Sequence, residues 1–363
     1  MTQMSHSKAS AVVFVGPLPP PVHGFSAACA AMLEVLKNRG TVAVFDRSRR
    51  AQGPITAAIR QMSEAIRYVR IIRLCPGIAL YLGVSGGFGQ LIDGFYIAIA
   101  KVYRRRIFVH HHSYAYITKA TIISKLLFSL LRDATHIVLS PGMGTSLAER
   151  YKFNRTELKV VSNAAFFGSV SGIARAQSDV TTPIRLGFLG NITFAKGFVE
   201  FFEVLAELRR LSVPYRAYIA GPISPEARET FNRLMAAADQ VDYRGALYDD
   251  AKMRFYLQLD ILLFPTRYVN EAEPLVIHEA LRSGVYVLAC ARGAIPELLS
   301  NGAGLAVDQQ VFVASAATYI RGVSLDRAVL ALSRQSSFEQ ARRLQAKAEG
   351  QLSDVIDQIL RGA

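Results

Sequence analysis

Short apolar runs rich in β-branched residues alternate along the chain with longer segments whose apolar positions recur at helical spacing. This alternation predicts βαβ units and parallel sheets, and therefore an α/β fold. Strands are predicted in the first half at 11–16, 42–46, 78–84, 107–111, 136–140 and 158–162. Strands are predicted in the second half at 184–190, 215–221, 241–243, 261–265, 285–290 and 305–307.

A segment rich in Ser, Ala and Gly, 164–183, interrupts this rhythm. It predicts two doubly wound, Rossmann-like domains, 1–165 and 184–336, joined by a linker at 166–183. Ligands of such folds bind at the carboxyl ends of the strands, so we expect a site between the two domains. The tail, 337–363, has a helical pattern, and our hypothesis is that it packs back against the first domain.

Composition narrows the class of protein. Of the 363 residues, 51% are hydrophobic and 19% are charged, which excludes intrinsic disorder and suits two globular domains. Cys29, Cys75 and Cys290 lie far apart, so no disulfide framework is expected. No apolar run approaches the roughly 18 to 20 residues of a spanning helix, and the polar start lacks a signal-peptide pattern. The expected location is the cytoplasm.

Positive charge is concentrated in the first half of the chain. The net charge is +14, and residues 1–165 carry 21 Lys and Arg against 7 Asp and Glu, whereas 166–363 carry 21 of each class. This asymmetry predicts an acidic partner, which could be nucleic acid, anionic lipid or a phosphorylated substrate.

Between residues 55 and 72, helical spacing places aliphatic residues on one face and arginines on the other. An ordinary surface helix and a helix lying on a membrane both fit this pattern. Neighbouring basic clusters favour anionic lipid headgroups, and nucleic acid is disfavoured because no aromatic residues are interleaved with the arginines. The predicted membrane-surface residues are Arg60, Arg67, Arg70, Arg104, Arg105 and Arg106. We therefore expect peripheral association with the inner face of the cell membrane.

The segment 264–281 carries the strongest chemical signal. It follows a predicted buried strand and contains Glu271 and Glu279, with Pro274 between them where a helix should begin. The N–H groups of the next three residues, Leu275, Val276 and Ile277, are predicted to be free at the positive end of that helix, which suits a diphosphate. Carboxylates accept hydrogen bonds from hydroxyls, so the two glutamates can hold a sugar and a ribose.

With these residues the second domain resembles the retaining family 4 glycosyltransferases, whose E-x7-E motif is matched by Glu271 and Glu279. Further segments match the family in the same order, at 186–190 with Lys196 and Gly197, at 241–245, at 260–265 and at 293–299. The resemblance covers most of the second domain and, loosely, the first. It implies the GT-B architecture, in which two Rossmann-like domains face each other across a cleft, and a nucleotide-diphosphate-sugar donor.

The resemblance also implies roles for single residues. Glu279 is expected to bind the ribose hydroxyls, Glu271 the hydroxyls of the transferred sugar, and Lys196 the departing diphosphate. The family commonly has an arginine after the glycine turn, where this chain has Asn191, and Arg267 is a candidate replacement. The predicted donor-binding residues are Gly190, Asn191, Lys196, Arg267, Glu271, Pro274, Leu275, Val276 and Glu279, and the predicted catalytic residues are Glu271, His112 and Lys196.

Two segments of the first domain also resemble family features. The loop after the first strand, with Gly16, His23 and Gly24, resembles the acceptor-side loop, although a purely structural turn fits equally well. Its prolines exclude a GxGxxG dinucleotide motif. The family often has a histidine that faces the donor sugar. Among 110–112, His112 aligns best and His111 second, and neighbours on a strand point to opposite sides.

No metal and no other cofactor are expected, because the matched motif lacks a DxD pair and the histidines lack acidic or thiol neighbours at ligand spacing. The sequence therefore predicts a retaining glycosyltransferase of the hexosyltransferase type. Its expected partners are a nucleotide-sugar donor, a lipid-linked (polyprenyl-diphosphate) saccharide acceptor in surface polysaccharide synthesis, and an anionic membrane surface, with no nucleic acid. Two alternatives stay open: a GT-B sugar-nucleotide epimerase, and a non-catalytic basic protein that binds membrane or nucleic acid.

Overall fold

The computed structural model describes residues 11–20, 23–48, 54–153, 157–168, 170 and 183–361. The chain forms two compact units: unit 1 comprises Met1–Phe166 and Lys347–Ala363, and unit 2 comprises Phe167–Ala346. Most of the predicted linker, at 169 and 171–182, lies outside the described residues.

Unit 1 contains a six-stranded parallel sheet in the order β2-β1-β3-β4-β5-β6. Its strands are β1 (Ala11–Gly16), β2 (Thr41–Asp46), β3 (Ala79–Gly83), β4 (Ile107–His110), β5 (Thr135–Val138) and β6 (Leu158–Val160). Phe14 of β1 pairs with Val44 of β2 and with Tyr81 of β3, which sets the register. Residues on both faces of β3 and β4 are buried, which explains why these strands are continuous apolar runs.

The helices of unit 1 are α1 (Gly24–Arg39), α2 (Pro54–Leu74), α3 (Gly89–Val102), α4 (Ala115–Thr118), α5 (Ile122–Leu130) and α6 (Pro141–Tyr151). Short polar side chains fix where two of them begin. The Thr121 hydroxyl accepts a hydrogen bond from the Ser124 N–H before α5, and the Ser140 hydroxyl accepts one from the Met143 N–H before α6.

Unit 2 contains a second six-stranded parallel sheet, in the order β12-β11-β10-β7-β8-β9. Its strands are β7 (Ile184–Leu189), β8 (Tyr215–Ala220), β9 (Val241–Tyr243), β10 (Ile261–Phe264), β11 (Tyr286–Cys290) and β12 (Gly304–Val307). Its helices are α7 (Phe198–Arg210), α8 (Arg228–Ala237), α9 (Asp249–Leu257), α10 (Leu275–Arg282), α11 (Ile295–Leu298), α12 (Phe312–Leu325) and the start of α13 (Arg327–Leu360).

Helix α13 begins in unit 2 and ends in unit 1. The boundary predicted at 336 therefore falls inside a helix, because no break in helical spacing separates the two parts of α13. Near its end, Leu352, Val355 and Ile356 pack in the core of unit 1 with Phe14 and Met32.

The predicted α/β fold is confirmed, since each predicted strand is present with ends shifted by one or two residues at most. Among the helices described, none combines the length and the apolar content that crossing a bilayer requires.

Candidate active site

The segment with the two glutamates lies at the carboxyl end of β10. This strand is inside the sheet, paired with β7 on one side and β11 on the other. It runs into the loop 265–274, which leads to α10. Glu271, in this loop, is only 9% exposed. Loops at the carboxyl ends of parallel strands are where such folds bind ligands, so the location agrees with a binding role.

Lys196 and Glu271 form an ion pair at this end of the sheet. The Lys196 Nζ lies 2.5 Å from Glu271 Oε2, and the same oxygen accepts a hydrogen bond from the buried Thr266 hydroxyl at 3.0 Å. The Lys196 backbone N–H donates to the Thr193 side chain at 3.2 Å, which fixes the turn that carries the lysine. An ammonium has three donors, so Lys196 can hold Glu271 and a phosphate oxygen at the same time.

Two glycines let the loops of the site approach one another. Gly197 has a φ of +80° and Gly293 a φ of +50°, in the left-handed region that favours glycine. A Cβ at Gly197 would overlap the Pro265 carbonyl, and a Cβ at Gly293 would overlap the carbonyl oxygens of Glu271 and Ala272. The Ala294 N–H donates to the Ala272 oxygen at 2.8 Å. The turn after β11 therefore holds the Glu271 loop in place.

We expect Gly293→Ala to lower the free energy of unfolding by about 2 kcal/mol or more, since it adds backbone strain and a steric overlap. Gly322→Ala is the matched control, because Gly322 lies inside α12 with no other group within 4 Å of a Cβ. Alanine there is expected to stabilise by up to about 1 kcal/mol. Urea unfolding of both variants checks the prediction, and equal stability of the two would contradict it.

Both oxygens of Glu279 are engaged by α9. The Tyr256 hydroxyl donates to Oε2 at 2.8 Å, and Lys252 Nζ lies 2.5 Å from Oε1. The Tyr256 ring is buried, and burial, followed by the nearby Glu279 charge, raises the pKa of Tyr256 well above its usual value. The hydroxyl therefore stays a hydrogen-bond donor. These contacts hold the Glu279 carboxylate in one orientation.

We expect Tyr256→Phe to weaken nucleotide binding about five- to tenfold, because Glu279 loses a hydrogen bond that orients it. The fold should persist, since the ring itself stays buried. Tyr68→Phe is the control: the Tyr68 hydroxyl is also buried and donates to the Tyr96 oxygen at 2.6 Å, in unit 1. Calorimetric titration with UDP checks both variants, and equal losses of affinity would contradict a specific role for Tyr256.

The start of α10 differs in detail from the expectation. Pro274 has extended backbone (φ −67°, ψ 123°) and precedes the helix rather than forming its first turn. The Ile277 N–H donates to the Pro274 oxygen at 3.1 Å, so the prediction that it is free is wrong. The reason is that the first turn is tight, with a hydrogen bond from residue i to residue i−3. Leu275 and Val276 head the helix, at its positive end.

The turn after β7 contains two of the predicted donor-binding residues. Gly190 has a φ of +156° and no group of the chain within 4 Å of a Cβ, and Asn191 is exposed. The Arg267 N–H donates to the Ala195 oxygen at 2.8 Å, beside Lys196, but its guanidinium lies 3.1 Å from Glu200 Oε1. Arg267 is therefore close to the lysine turn and already paired with a carboxylate.

In unit 1, two of the residues predicted for the acceptor-side loop stabilise unit 1 itself. His23 caps α1: its Nδ1 accepts from the Ser26 N–H at 3.2 Å, and burial lowers its pKa, which keeps that nitrogen unprotonated. A Cβ at Gly16 would press on Cys29 Sγ at 3.1 Å, so Gly16 makes room for the core of its own unit. Gly24 differs, because none of the residues that the structure describes lies within 4 Å of a Cβ there.

The histidine run splits between the two sides of β4. His110 Nδ1 lies 2.6 Å from the Tyr81 hydroxyl, and His111 bridges Tyr116 and His136 at 3.0 Å each. His111 is fully buried in this cluster. This burial argues against His111 as the second candidate to face the donor sugar. The His112 ring packs 5.1 Å from Phe25, and burial lowers the pKa of His112 to about 3. Its Nε2 is buried and has no hydrogen-bond partner among the described residues.

The residues of this site in unit 2 fall within a part of the chain that a known family covers. Residues 173–347 match the family model of glycosyl transferases group 1. Most of unit 2 is thus similar to group 1 glycosyltransferases, and Lys196, Glu271 and Glu279 all lie in the matched range. No curated protein sequence matches the chain significantly.

The whole chain is similar in fold to several solved structures. Anabaena Alr3699/HepE in complex with UDP superposes with a TM-score of 0.70, at 15% identity over 96% of this chain and 100% of that one. A glycosyltransferase from Rickettsia africae ESF-5 gives 0.72, at 12% identity over 98% and 100%. WaaG, a glycosyltransferase involved in lipopolysaccharide biosynthesis, gives 0.64, at 14% identity over 97% and 100%. These similarities confirm the GT-B fold class.

Several of the arginines predicted to face a membrane donate hydrogen bonds within unit 1. Arg67 donates to the Val44 oxygen at 2.5 Å, Arg105 to the Ile72 oxygen at 2.7 Å, and Arg106 to the Gln358 oxygen at 2.5 Å. Backbone carbonyls of the chain thus hold three of the predicted side chains. Arg67, Arg70, Arg104 and Arg106 are exposed, and the side chain of Arg60 lies outside the described part of the chain.

Sequence reasoning missed several residues that unit 2 brings to its glutamates. Lys252 and Tyr256 come from α9, earlier in the chain, and no spacing in the motif points to them. Thr266 could be predicted as a site residue from the sequence, because it is a polar residue directly after a predicted buried strand. Glu273 is a further buried carboxylate, with Oε1 3.1 Å from His278 Nε2. The described residues contain no group of three or more His, Cys, Asp or Glu placed to hold a metal ion, and metal independence stays a prediction.

Proposed function

We propose that the protein is a retaining glycosyltransferase that moves a hexose from a nucleotide-diphosphate-sugar to a lipid-linked saccharide in surface polysaccharide synthesis. The observation that carries the proposal is the Lys196–Glu271 pair, fixed by Thr266 at the carboxyl end of β10 in a part of the chain similar to group 1 glycosyltransferases. The complexes of Anabaena Alr3699/HepE with UDP and with UDP-glucose support a nucleotide-sugar donor for this fold.

Glu279 is the proposed ribose-binding residue. Lys252 and Tyr256 each occupy one of its oxygens and orient the carboxylate. A carboxylate has about four acceptor positions, so ribose hydroxyls can donate to those that remain. The N-terminus of α10, headed by Leu275 and Val276, offers a positive helix end to the diphosphate.

Lys196 and Glu271 are the proposed catalytic pair. As the bond between sugar and diphosphate breaks, positive charge develops on the sugar ring and negative charge on the leaving phosphate. Lys196 stabilises the phosphate, and Glu271 accepts hydrogen bonds from the sugar hydroxyls. Because the pair is already fixed by Thr266, little reorganisation is needed when the donor binds.

The lipid-linked acceptor is proposed from charge. The excess of basic residues in 1–165, at 21 against 7 acidic residues, suits an anionic membrane surface and a diphosphate-linked lipid. The proposed location is therefore the cytoplasmic face of the cell membrane, with peripheral attachment. His112 stays a predicted site residue, and it acts as a neutral ring because of its lowered pKa.

The proposal is tested by thermal-shift and calorimetric titration with UDP, GDP and ADP and their sugar conjugates, without added metal. A nucleotide at about 100 times its Kd should stabilise the folded state by about 2.7 kcal/mol. Glu279→Ala should abolish this response, whereas Glu229→Ala, at an exposed carboxylate on α8, should keep it. Failure of every nucleotide would overturn the donor site. Release of an epimerised nucleotide sugar without acceptor would replace transfer by epimerisation.

A further inference from the structure

The exposed apolar side chains of unit 1 are gathered on neighbouring helices. Among the described residues of unit 1, every large apolar side chain that is exposed lies on α2, α3 or α5, or at Phe88 directly before α3. Helix α3 packs against both α2 and α5. Extended apolar surface of this kind is uncommon on soluble proteins and marks an interaction site.

Helix α3 is apolar on its solvent side as well as on its core side. Leu91, Phe95 and Val102 are exposed at 59%, 37% and 74%, and their spacing places them along one side of the helix. Phe88, at 81% exposure, extends the row beyond the helix start. The opposite side is buried, for example at Tyr96. The packing of unit 1 therefore does not explain the apolar residues on the outer side.

Helices α5 and α2 continue the pattern. Ile122, Leu126 and Leu130 recur at every fourth position of α5 and are exposed at 78%, 64% and 42%. On α2, three residues of the aliphatic side found in the sequence, Ile59, Met62 and Ile66, are also exposed, whereas Ile72 is buried. We name the exposed apolar residues of these helices, together with Phe88, the α2–α3–α5 face.

Basic side chains accompany this face. The exposed basic residues on these helices or directly flanking them include Arg70, Arg73, Lys119, Lys125 and Arg132. The acidic residues on these helices or directly flanking them are Glu64, Asp93 and Asp133, and they are paired with Arg67, Arg47 and Lys101 respectively. The surroundings of the apolar face are therefore positively charged.

We propose that the α2–α3–α5 face docks on an anionic bilayer, with its apolar side chains in the lipid interface and its basic side chains on the headgroups. The inference rests on the membrane association included in the proposed function. It assigns the membrane contact to an apolar face with a basic border, whereas the sequence predicts a contact made by arginines. Charge argues against a second copy of the chain as the occupant, because twofold pairing would bring two positive borders together.

Insertion of the face is tested with a single fluorophore. The chain contains no tryptophan, so Phe88→Trp introduces one reporter at an exposed position of the face. Its emission should shift to shorter wavelength with phosphatidylcholine–phosphatidylglycerol vesicles, and brominated lipid should quench it. Leu325→Trp, at a position 73% exposed in unit 2, is the control that should not respond. An unshifted Phe88→Trp, or an equal response of the control, overturns the proposal.

Affinity is tested by vesicle sedimentation, which needs no nucleotide sugar. Replacing Leu91, Ile122 and Leu126 together by glutamine should weaken binding at least about tenfold, because three apolar side chains no longer enter the lipid. The matched control replaces three exposed apolar residues of unit 2 by glutamine, namely Leu325, Val329 and Leu332. This variant should bind vesicles as the original chain does.

Salt separates the two components of binding. Raising the ionic strength should weaken binding without abolishing it, since screening acts on the basic border and not on the apolar contact. The proposal is overturned if high salt abolishes vesicle binding completely, or if the triple glutamine variant binds vesicles as the original chain does. It is also overturned if sedimentation velocity shows a dimer of the original chain that the triple glutamine substitution dissociates. Intact vesicle binding by a chain that transfers no sugar would overturn the proposed activity alone.

Discussion

Replacing Lys196 with methionine is expected to lower kcat for sugar transfer about 10²- to 10³-fold, because the leaving diphosphate loses its fixed cation. Methionine keeps the length and the apolar contacts of the side chain, so the change removes charge rather than volume. The variant also leaves Glu271 at 9% exposure with the Thr266 hydroxyl but without its ammonium. Steady-state kinetics over a range of donor concentrations measure the effect.

Lys252→Met is the matched control, because it removes an ion pair of the same 2.5 Å length, at Glu279. Its effect should fall on the donor KM, since ribose binding is the same in the ground state and in the transition state. Adding Glu271→Gln to Lys196→Met should restore part of the lost stability, because no unpaired buried carboxylate remains. A kcat of Lys196→Met within about threefold of the original would remove Lys196 from catalysis.

Acid is expected to unfold unit 1 before unit 2. Burial lowers the pKa of His110 and His111 well below 6.5, that of His112 to about 3 and that of His136 to about 4. The folded state keeps these rings neutral at pH 5, whereas the unfolded chain binds protons below pH 6.5. His112 and His136 then each favour unfolding by about 2 kcal/mol at pH 5, and His110 and His111 act in the same direction. The loss begins near pH 6.5, and it is complete near pH 4 for His136 and near pH 3 for His112, where the folded rings also become protonated.

This loss is a large part of the stability of an ordinary domain, which is about 5 to 15 kcal/mol. Hydrogen exchange followed by mass spectrometry between pH 7 and about pH 5, corrected for the intrinsic rate, measures it segment by segment. Protection in β4 and β5 should fall, while β7 and β10 serve as the internal control, because His278 is the one histidine of 167–346. Equal loss of protection in both sheets would contradict the prediction.

The exposed helices of unit 1 show where sequence patterns stop being informative. Helical spacing predicts an aliphatic side and an arginine side for α2, but Arg70 lies four residues after Ile66 and therefore on the same side of the helix. In the structure Ile59, Met62 and Ile66 are exposed, while Tyr68 and Ile72 are buried. An amphipathic pattern specifies two faces, and only the neighbouring elements decide which of them meets solvent.

The donor site divides in the same way. The sequence predicts Glu271 and Glu279 because one local motif carries both, and Lys196 because a second matched segment, after β7, carries it. Gly197 and Gly293 belong to matched segments, but the sequence does not show why glycine is needed there. The structure does: a Cβ at Gly197 would overlap the Pro265 carbonyl, and a Cβ at Gly293 would overlap the Glu271 carbonyl.

The sequence by itself determined the strands, the parallel α/β fold and the segment with the carboxylates, because apolar periodicity, turn residues and motif spacing act over a few residues. The tertiary structure alone decided that Lys252 and Tyr256 hold Glu279, that His111 is buried, and that carbonyl oxygens bind Arg67. Each of these depends on which distant elements lie side by side in the fold. Sequence spacing does not encode that adjacency, since contact between such elements follows from packing of the whole unit.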